Sequence, residues 1–540
     1  MSATKMKKAI SKTRLLLAAM VAVALLHPAT THAAAPGITG PTFNLTAQSA
    51  FITQPDGSMV YSWGYGCDGA PGGYAPAAFT AVTTPFCNPM QVPGPTLIVT
   101  EGQTVTVTLR NGLPTSAGNT SILFPGFNVT TSGSGSVAGL LTQEAVPGGT
   151  VTYTFTASTP GTRAYYSGTQ GDLQVEMGLY GAIIVLPSGN PSGCTALNSV
   201  PAHYVAPGNT AEVDFRLAAA AYDHAKSCYD REYLFQFSEM DPDIHNQALA
   251  QVSDPIRIAA CASGASTQGC SLEVPTEPYH PAYFLINGRS MPDDMDPNYA
   301  FEYPHQPYNG NPHMHPGEQV LLRVIGQGRW QHPFHEHGNH VRILGRDGNL
   351  IVSQTNPATN LAGPLLFTTT TTPGQAFDGI FYWTAKGLNW DAYGHNPAST
   401  DPLAKLPCNP DANGYNTGAP TALNYYEWCQ DHNKPVQAAP FGDIASGGPA
   451  TLPDANIFTN GAWYGGSAYL GPNATVRATG PTGTTPPSGT IANPPTTEAG
   501  FAFMWHSHNE REITTNNIFP GGMLMMMLVD SREFVIDESN

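Results

Sequence analysis

PGPTLIVTEGQTVTVTLRNGL, running from Pro93 to Leu113, decides the fold. Thr and Val alternate through TVTVTL, and a period of two puts every second side chain on the same face of a pleated strand. Gly102 and Gly112 punctuate the two ends of the run as turns would. Working outward, GGTVTYTFTASTPGTRAYYSG (Gly148 to Gly168) and GLYGAIIVLP (Gly178 to Pro187) continue the same pattern. Together these segments predict a Greek-key β-sandwich ending near residue 190.

A second series of strand-like segments follows a linker over 190–205 that contains Cys194. It runs through DREYLFQFSEMDP (from Asp230), YFLINGRSMPDD (from Tyr283), GEQVLLRVIGQG (from Gly317), HVRILGRDGNLIV (from His340) and GQAFDGIFYWTAKG (from Gly374). Residues 390–497, rich in Gly, Pro, Asn, Thr and Ala, interrupt the pattern, and an insertion of that length is usually functional or irregular. Strands resume at GFAFMWHSH (from Gly500) and end with GGMLMMMLVD (from Gly521). Helical periodicity is nearly missing, as suits a chain with 56 Gly and 49 Pro. The expected fold is all-β, with one sandwich over 36–190 and a second over 196–540 that carries the insertion.

Residues 1–35 read as a signal peptide. Lys5, Lys7, Lys8, Lys12 and Arg14 precede an apolar run from Leu15 to Leu26, and small residues at Ala33–Ala35 suit cleavage. That run is too short to span a bilayer, and no later stretch is apolar enough to do so, so an exported protein without a membrane span is expected, periplasmic or extracellular. The formal charge of −17 argues against nucleic acid or anionic lipid as partners. Eight Cys in an exported chain read as disulfides, and nearest-neighbour pairing gives 67–87, 194–228, 261–270 and 408–429. No Cys lies near the histidine clusters, so a thiolate metal ligand is not expected.

Two clusters carry the chemistry. QHPFHEHGNH holds His332, His335, His337 and His340, and FMWHSHNERE holds His506 and His508 around Ser507. On strands, His335 and His337 share a face, as do His506 and His508, so four imidazoles from two paired strands can converge on one metal. By the same alternation, Ser507 and His332 fall on the opposite side. Imidazole ligands suit copper, zinc, nickel or iron. Nothing in the chain has the spacing of a phosphate-cradling loop, a nucleophile elbow or an HExxH zinc helix.

These segments resemble the multicopper oxidase family, which is built of cupredoxin domains. PGPTLIVTEGQTVTVTLRNGLP looks like its first-domain strand pair, and GTRAYYSGTQGDLQVEMGLYGAIIV is similar to the stretch that closes that domain. HPFHEHG matches the motif HPxHxHG, and HSH stands where the family has HCH. The resemblance covers about 93–188, 283–385 and 498–530, half of the chain. It implies copper at His335, His337, His506 and His508, with His332 a weaker candidate.

The departures are as informative. The family's first-domain HWHG and HxH motifs read Leu123, Phe124, Pro125, Gly126 and Tyr166, Ser167, Gly168 here, so four copper-binding His are missing. Type 1 copper takes the first His of HPxHxHG, the Cys of HCH and a His five positions on, which are His332, Ser507 and Glu512 here. A blue site needs the thiolate. The resemblance therefore implies one or two copper ions without type 1 copper. Three functions remain open: a non-blue copper oxidoreductase, a non-catalytic copper-binding or tolerance protein, and a metal-free cupredoxin scaffold. Its two-domain members also make a homo-oligomer an expectation by analogy.

The other candidates have ordinary readings. NPHMHPGEQ, with His313 and His315, reads as a solvated loop. Met523, Met525, Met526 and Met527 read as filler in a buried strand. Glu510 and Glu512 read equally as a solvated turn or as a carboxylate ligand or proton relay. His340 is expected outside the site.

Overall fold

The computed structural model describes residues 34–197, 212–262, 271–384, 407–418, 428–429, 466–469, 500–530 and 536. The signal-peptide reading and nearly all of the 390–497 insertion lie outside them. Regular structure among the described residues is mostly β with few helices, as the alternation predicts. In Thr104–Asn111 the Val and Leu side chains are buried while the Thr side chains face outward. Its antiparallel partner Thr150–Thr156 sets Phe155, Tyr153 and Val151 opposite Val105, Val107 and Leu109. Burying both rows on one side of the pair is what fixes its register, because a one-residue slip would turn every apolar side chain to solvent.

Four large sheets stack in layers. The outermost is ordered Met59–Cys67, Thr42–Thr53, Thr104–Asn111, Thr150–Thr156, Thr130–Ser132. Facing it lies a second five-stranded sheet, Gly161–Tyr166, Tyr180–Leu186, Leu97–Thr100, Gly37–Thr39, Tyr74–Ala75. A core containing Trp63, Leu97, Val107, Tyr153 and Ile183 fills the space between them. The third sheet has seven strands, with Arg231–Met240, Gln319–Gly326, Ala376–Tyr382 and Val341–Arg346 at its centre. The fourth has six, ordered His313–Met314, Leu524–Asp530, Gly500–Ser507, His332–Glu336, Thr368–Thr371, with Gly466–Tyr469 added beside Gly500–Ser507. Phe235, Phe237, Phe334, Trp505, Met525 and Met527 pack between these two. The architecture is that of cupredoxin β-sandwiches.

The two sandwiches meet through the second and third sheets. Ile98, Ala164, Ala182 and Ile184 pack on Leu234, Ile325 and Ala376. Within this apolar seam, Asp378 accepts hydrogen bonds from Thr162 Oγ1 and Tyr222 Oη, both at 2.6 Å, and lies 3.6 Å from Arg323 Nη1. Arg323 Nε donates to Glu232 at 2.8 Å, so its buried charge is balanced from two sides.

One helix escapes the periodicity. Pro242–Val252 starts at Asp241, whose side chain accepts from the Asp243 amide, with Pro at the first helical position. Ile244, Ala248 and Val252 join the core of the first sandwich although they follow the first strand of the second. Cys67–Cys87, Cys194–Cys228 and Cys408–Cys429 are bonded as nearest-neighbour pairing expects. Cys261 is also disulfide-bonded, and Cys270 lies outside the described residues.

Candidate metal centre

The histidines meet because two strands pair in one particular register. His335 sits directly across from His506, with Phe334 opposite Ser507 and Glu336 opposite Trp505. Directly opposed residues bring their side chains within contact, and diagonal neighbours lie one step further. His337 is the diagonal neighbour of His506, and His508 that of His335. Ring centroids separate accordingly: 5.5 Å for His335–His506, 4.8 Å for His335–His337, 5.1 Å for His337–His506 and 4.8 Å for His335–His508. Ligand nitrogens of His335, His337 and His506 all lie within 4.8 Å of one another, and all three residues are buried. His508 stands at the solvent edge with its side chain 50% exposed, 3.6 Å from Glu510.

Local contacts orient the rings. His506 Nδ1 donates to the Ser507 carbonyl at 2.7 Å, which leaves Nε2 turned inward, 3.2 Å from His337 Nε2. A carbonyl partner on the far nitrogen is the usual way to fix an imidazole's tautomer at a metal. His335 Nδ1 lies 2.6 Å from Thr368 Oγ1 on the neighbouring strand. Trp505 Nε1, inside the core, donates to the His337 carbonyl at 3.0 Å. Gly338 turns the chain there with φ at +101°, and a side chain would press on the Phe503 ring at 3.0 Å. Burial and the three other imidazoles lower His335 to about 4, and burial also lowers His506. These rings are therefore neutral at neutral pH, the form that coordinates a metal. Three convergent imidazoles, with a fourth at the edge, are a donor set that fits copper.

The opposite face of the same strand pair holds something else. His332 is fully buried, with Nδ1 2.9 Å from Glu512 Oε2 and Nε2 2.9 Å from Glu239 Oε2. Ser507 Oγ donates to the same Glu512 oxygen. Burial opposes charge on His332, but the hydrogen bonds to Glu239 and Glu512 outweigh it and raise the ring to about 9. It is an imidazolium clamped between two carboxylates. The alternation thus places Ser507 and His332 together, and Glu512 is a buried clamp rather than a solvated turn. Glu239 was missed by motif reading; its signal was the one charged residue of YLFQFSEM. Glu336, between two histidines of the motif, also points into the core, where burial raises its carboxyl well above the usual range and Thr369 donates to it at 3.1 Å.

The solvated-loop reading of NPHMHPGEQ is corrected. His313 and His315 are buried, because His313–Met314 pairs in parallel with the last strand. His315 Nε2 is 3.1 Å from Glu212, its amide donates to Glu318 at 2.7 Å, and Arg231 Nε donates to Glu318 at 2.6 Å. Arg231 also binds Glu212, so this cluster balances its own charge as an ion-pair network. Met523, Met525 and Met527 are buried in the core as expected. His340 donates its amide to Asn339 and stacks edge-on with Phe367 at 5.1 Å, beside the cluster rather than in it.

Fold and site together define a cupredoxin-type protein whose paired strands present an imidazole cluster. Residues 74–190 match one family model described as multicopper oxidase, and residues 275–379 match a second with the same description. The chain belongs to the multicopper oxidase family. Neither match reaches His506–His508. Solved structures similar to the chain include the multicopper oxidase mgLAC, 14% identical with a TM-score of 0.43, covering 92% of this chain and 88% of that one. A blue copper oxidase from Nitrosomonas europaea is 14% identical with a TM-score of 0.42, covering 90% and 85%. A copper nitrite reductase from the same organism is 18% identical with a TM-score of 0.34, covering 64% and 85%. No curated protein matches the chain. Among the described residues, no helix is long and apolar enough to cross a membrane.

Proposed function

We propose that this chain is an exported, non-blue copper protein that holds copper at His335, His337, His506 and His508 and acts as an oxidoreductase. The observation that supports this most is the set of three buried imidazoles whose ligand nitrogens lie within 4.8 Å of one another. Copper bound there would supply one-electron redox chemistry. The chain's own part is to keep His335 and His506 neutral by burial and to orient them, through the Ser507 carbonyl on His506 and Thr368 on His335. His508, at the solvent edge, leaves one side of the cluster accessible to a small molecule, which favours turnover over closed storage. The opposite face of the strand pair offers no thiolate, because the residue between His506 and His508 is Ser507, which donates to Glu512.

Copper loading of the purified protein tests this reading. Bound copper without an intense blue band is expected, with loss of the metal in a His506→Ala/His508→Ala variant. Failure to retain copper would refute it and leave the metal-free scaffold. Retained copper with no oxidation of phenolic or metal-ion reductants would leave the non-catalytic binding protein. N-terminal sequencing of the secreted product tests export, with cleavage near Ala33–Ala35 expected.

A further inference from the structure

A cavity of about 710 Å³ opens on the outer face of the seven-stranded sheet, a different sheet from the one that carries the histidine cluster. Strand alternation builds it. In Val341–Arg346 the residues Val341 and Ile343 point into the core, so Arg342 and Leu344 point outward. In Ala376–Tyr382 the core takes Phe377 and Phe381, leaving Ile380 and Tyr382 on the outer face. Leu361, from the chain between these two strands, closes one side, and Lys226 stands on another. The floor is apolar, because Leu344 and Ile380 belong to a small cluster with Tyr222 and Tyr229.

Its electrostatics run against those of the whole protein. The chain has 39 Asp and Glu against 22 Lys and Arg, yet among the described residues the cavity is lined by two cations and no carboxylate. Arg342 gives one N–H to the Gly363 carbonyl at 2.9 Å, which holds the guanidinium at the wall. Among the described residues, neither Arg342 nor Lys226 forms an ion pair. An apolar floor with tyrosine on its wall and two unpaired cations is a site for one kind of small molecule, flat and apolar with an anionic end. We infer that this cavity binds small aromatic carboxylates, independently of any metal. A guanidinium takes a carboxylate through paired N–H groups, while the ring lies on Leu344 and Ile380.

Titration calorimetry on the full chain with 2-naphthoate, and with 2-naphthamide as its uncharged counterpart, tests the site. One saturable site is expected for the acid, with the amide weaker by at least about tenfold. Lys226→Gln/Arg342→Gln should weaken the acid by a similar factor while leaving the amide unchanged. Leu361→Trp, which fills the cavity and leaves both charges in place, should remove binding of both. No saturation of the acid, equal binding of acid and amide, or unchanged binding in Leu361→Trp would each overturn the inference. A melting curve on each variant shows whether it has folded, and the Leu361 variant decides the question if loss of the Arg342–Gly363 bond destabilises the other.

Discussion

Replacing Glu512 by Gln removes one of the two charges that hold His332 as an imidazolium and leaves the shape of the clamp nearly intact. The gap between an ordinary imidazole at 6.5 and His332 at about 9 corresponds to about 3 kcal/mol in favour of the charged form. That is the most the clamp can lose, because the ring can release its proton rather than remain an uncompensated buried charge. Two carboxylates share the effect through near-equal 2.9 Å contacts, so Glu512→Gln should cost about 1.5 kcal/mol. Glu239→Gln should cost a similar amount, and the pair should depart from additivity because both act on one ring. Urea unfolding across pH is the assay. A group raised in the folded state gives its full contribution below its unfolded value of 6.5 and loses it as pH rises through about 9. The stability gap between wild type and Glu512→Gln should therefore be full near pH 6 and vanish by about pH 10. A gap that is equal at both pH values, or absent at pH 6, would refute the clamp.

Other outcomes follow from the same contacts. His332 Nδ1 and Ser507 Oγ both aim at one oxygen of Glu512, so Ser507→Cys/Glu512→His should create a blue copper absorption where Ser507→Cys alone does not; no band in the double variant would mean the two donors do not converge. Burial and neighbouring imidazoles hold His335 neutral down to about 4, so in the metal-free protein this ring should take up its proton only near that pH. An NMR titration in which the His335 ring protonates near 6.5 would contradict that protection. Asp378→Ala strips the partner from Tyr222, Thr162 and one side of Arg323, and should cost about 3–5 kcal/mol in thermal or denaturant unfolding. A loss under about 1 kcal/mol would show that the seam between the sandwiches does not depend on it.

Much of this was legible because strands expose their logic at a period of two. The Thr–Val alternation of Thr104–Asn111 named its buried face, and the spacing within HPFHEHG and HSH put His335, His337, His506 and His508 on one side. What alternation cannot supply is which distant strand comes to lie behind a face. Glu239 reaches His332 from 93 residues away, and Thr368 reaches His335 from a neighbouring strand, neither by any local rule. NPHMHPGEQ failed for the same reason: its Pro, Gly and His look solvated until the last strand pairs with His313–Met314 and buries them. The helix at Pro242–Val252 was signalled only by the Asp-Pro cap, since its apolar side chains serve a core formed elsewhere in the chain.

A single strand pair thus carries two separate clusters, one on each face. His335 and His506 occupy one face, and His332 and Ser507 the other, with the sheet between them. Substitution on the inner face is a packing problem. With no thiolate there, the buried imidazole must find carboxylates or lose its charge, and Glu512 and Glu239 meet that need. Substitution on the outer face is a ligand problem, decided by whether ring nitrogens still converge, as those of His335, His337 and His506 do. Because the side chains of adjacent residues point apart, the inner face can exchange a metal for an ion-pair network without moving a single outer ligand. The serine in HSH therefore belongs to the ion-pair network of the inner face, while the histidines on either side of it turn to the outer one.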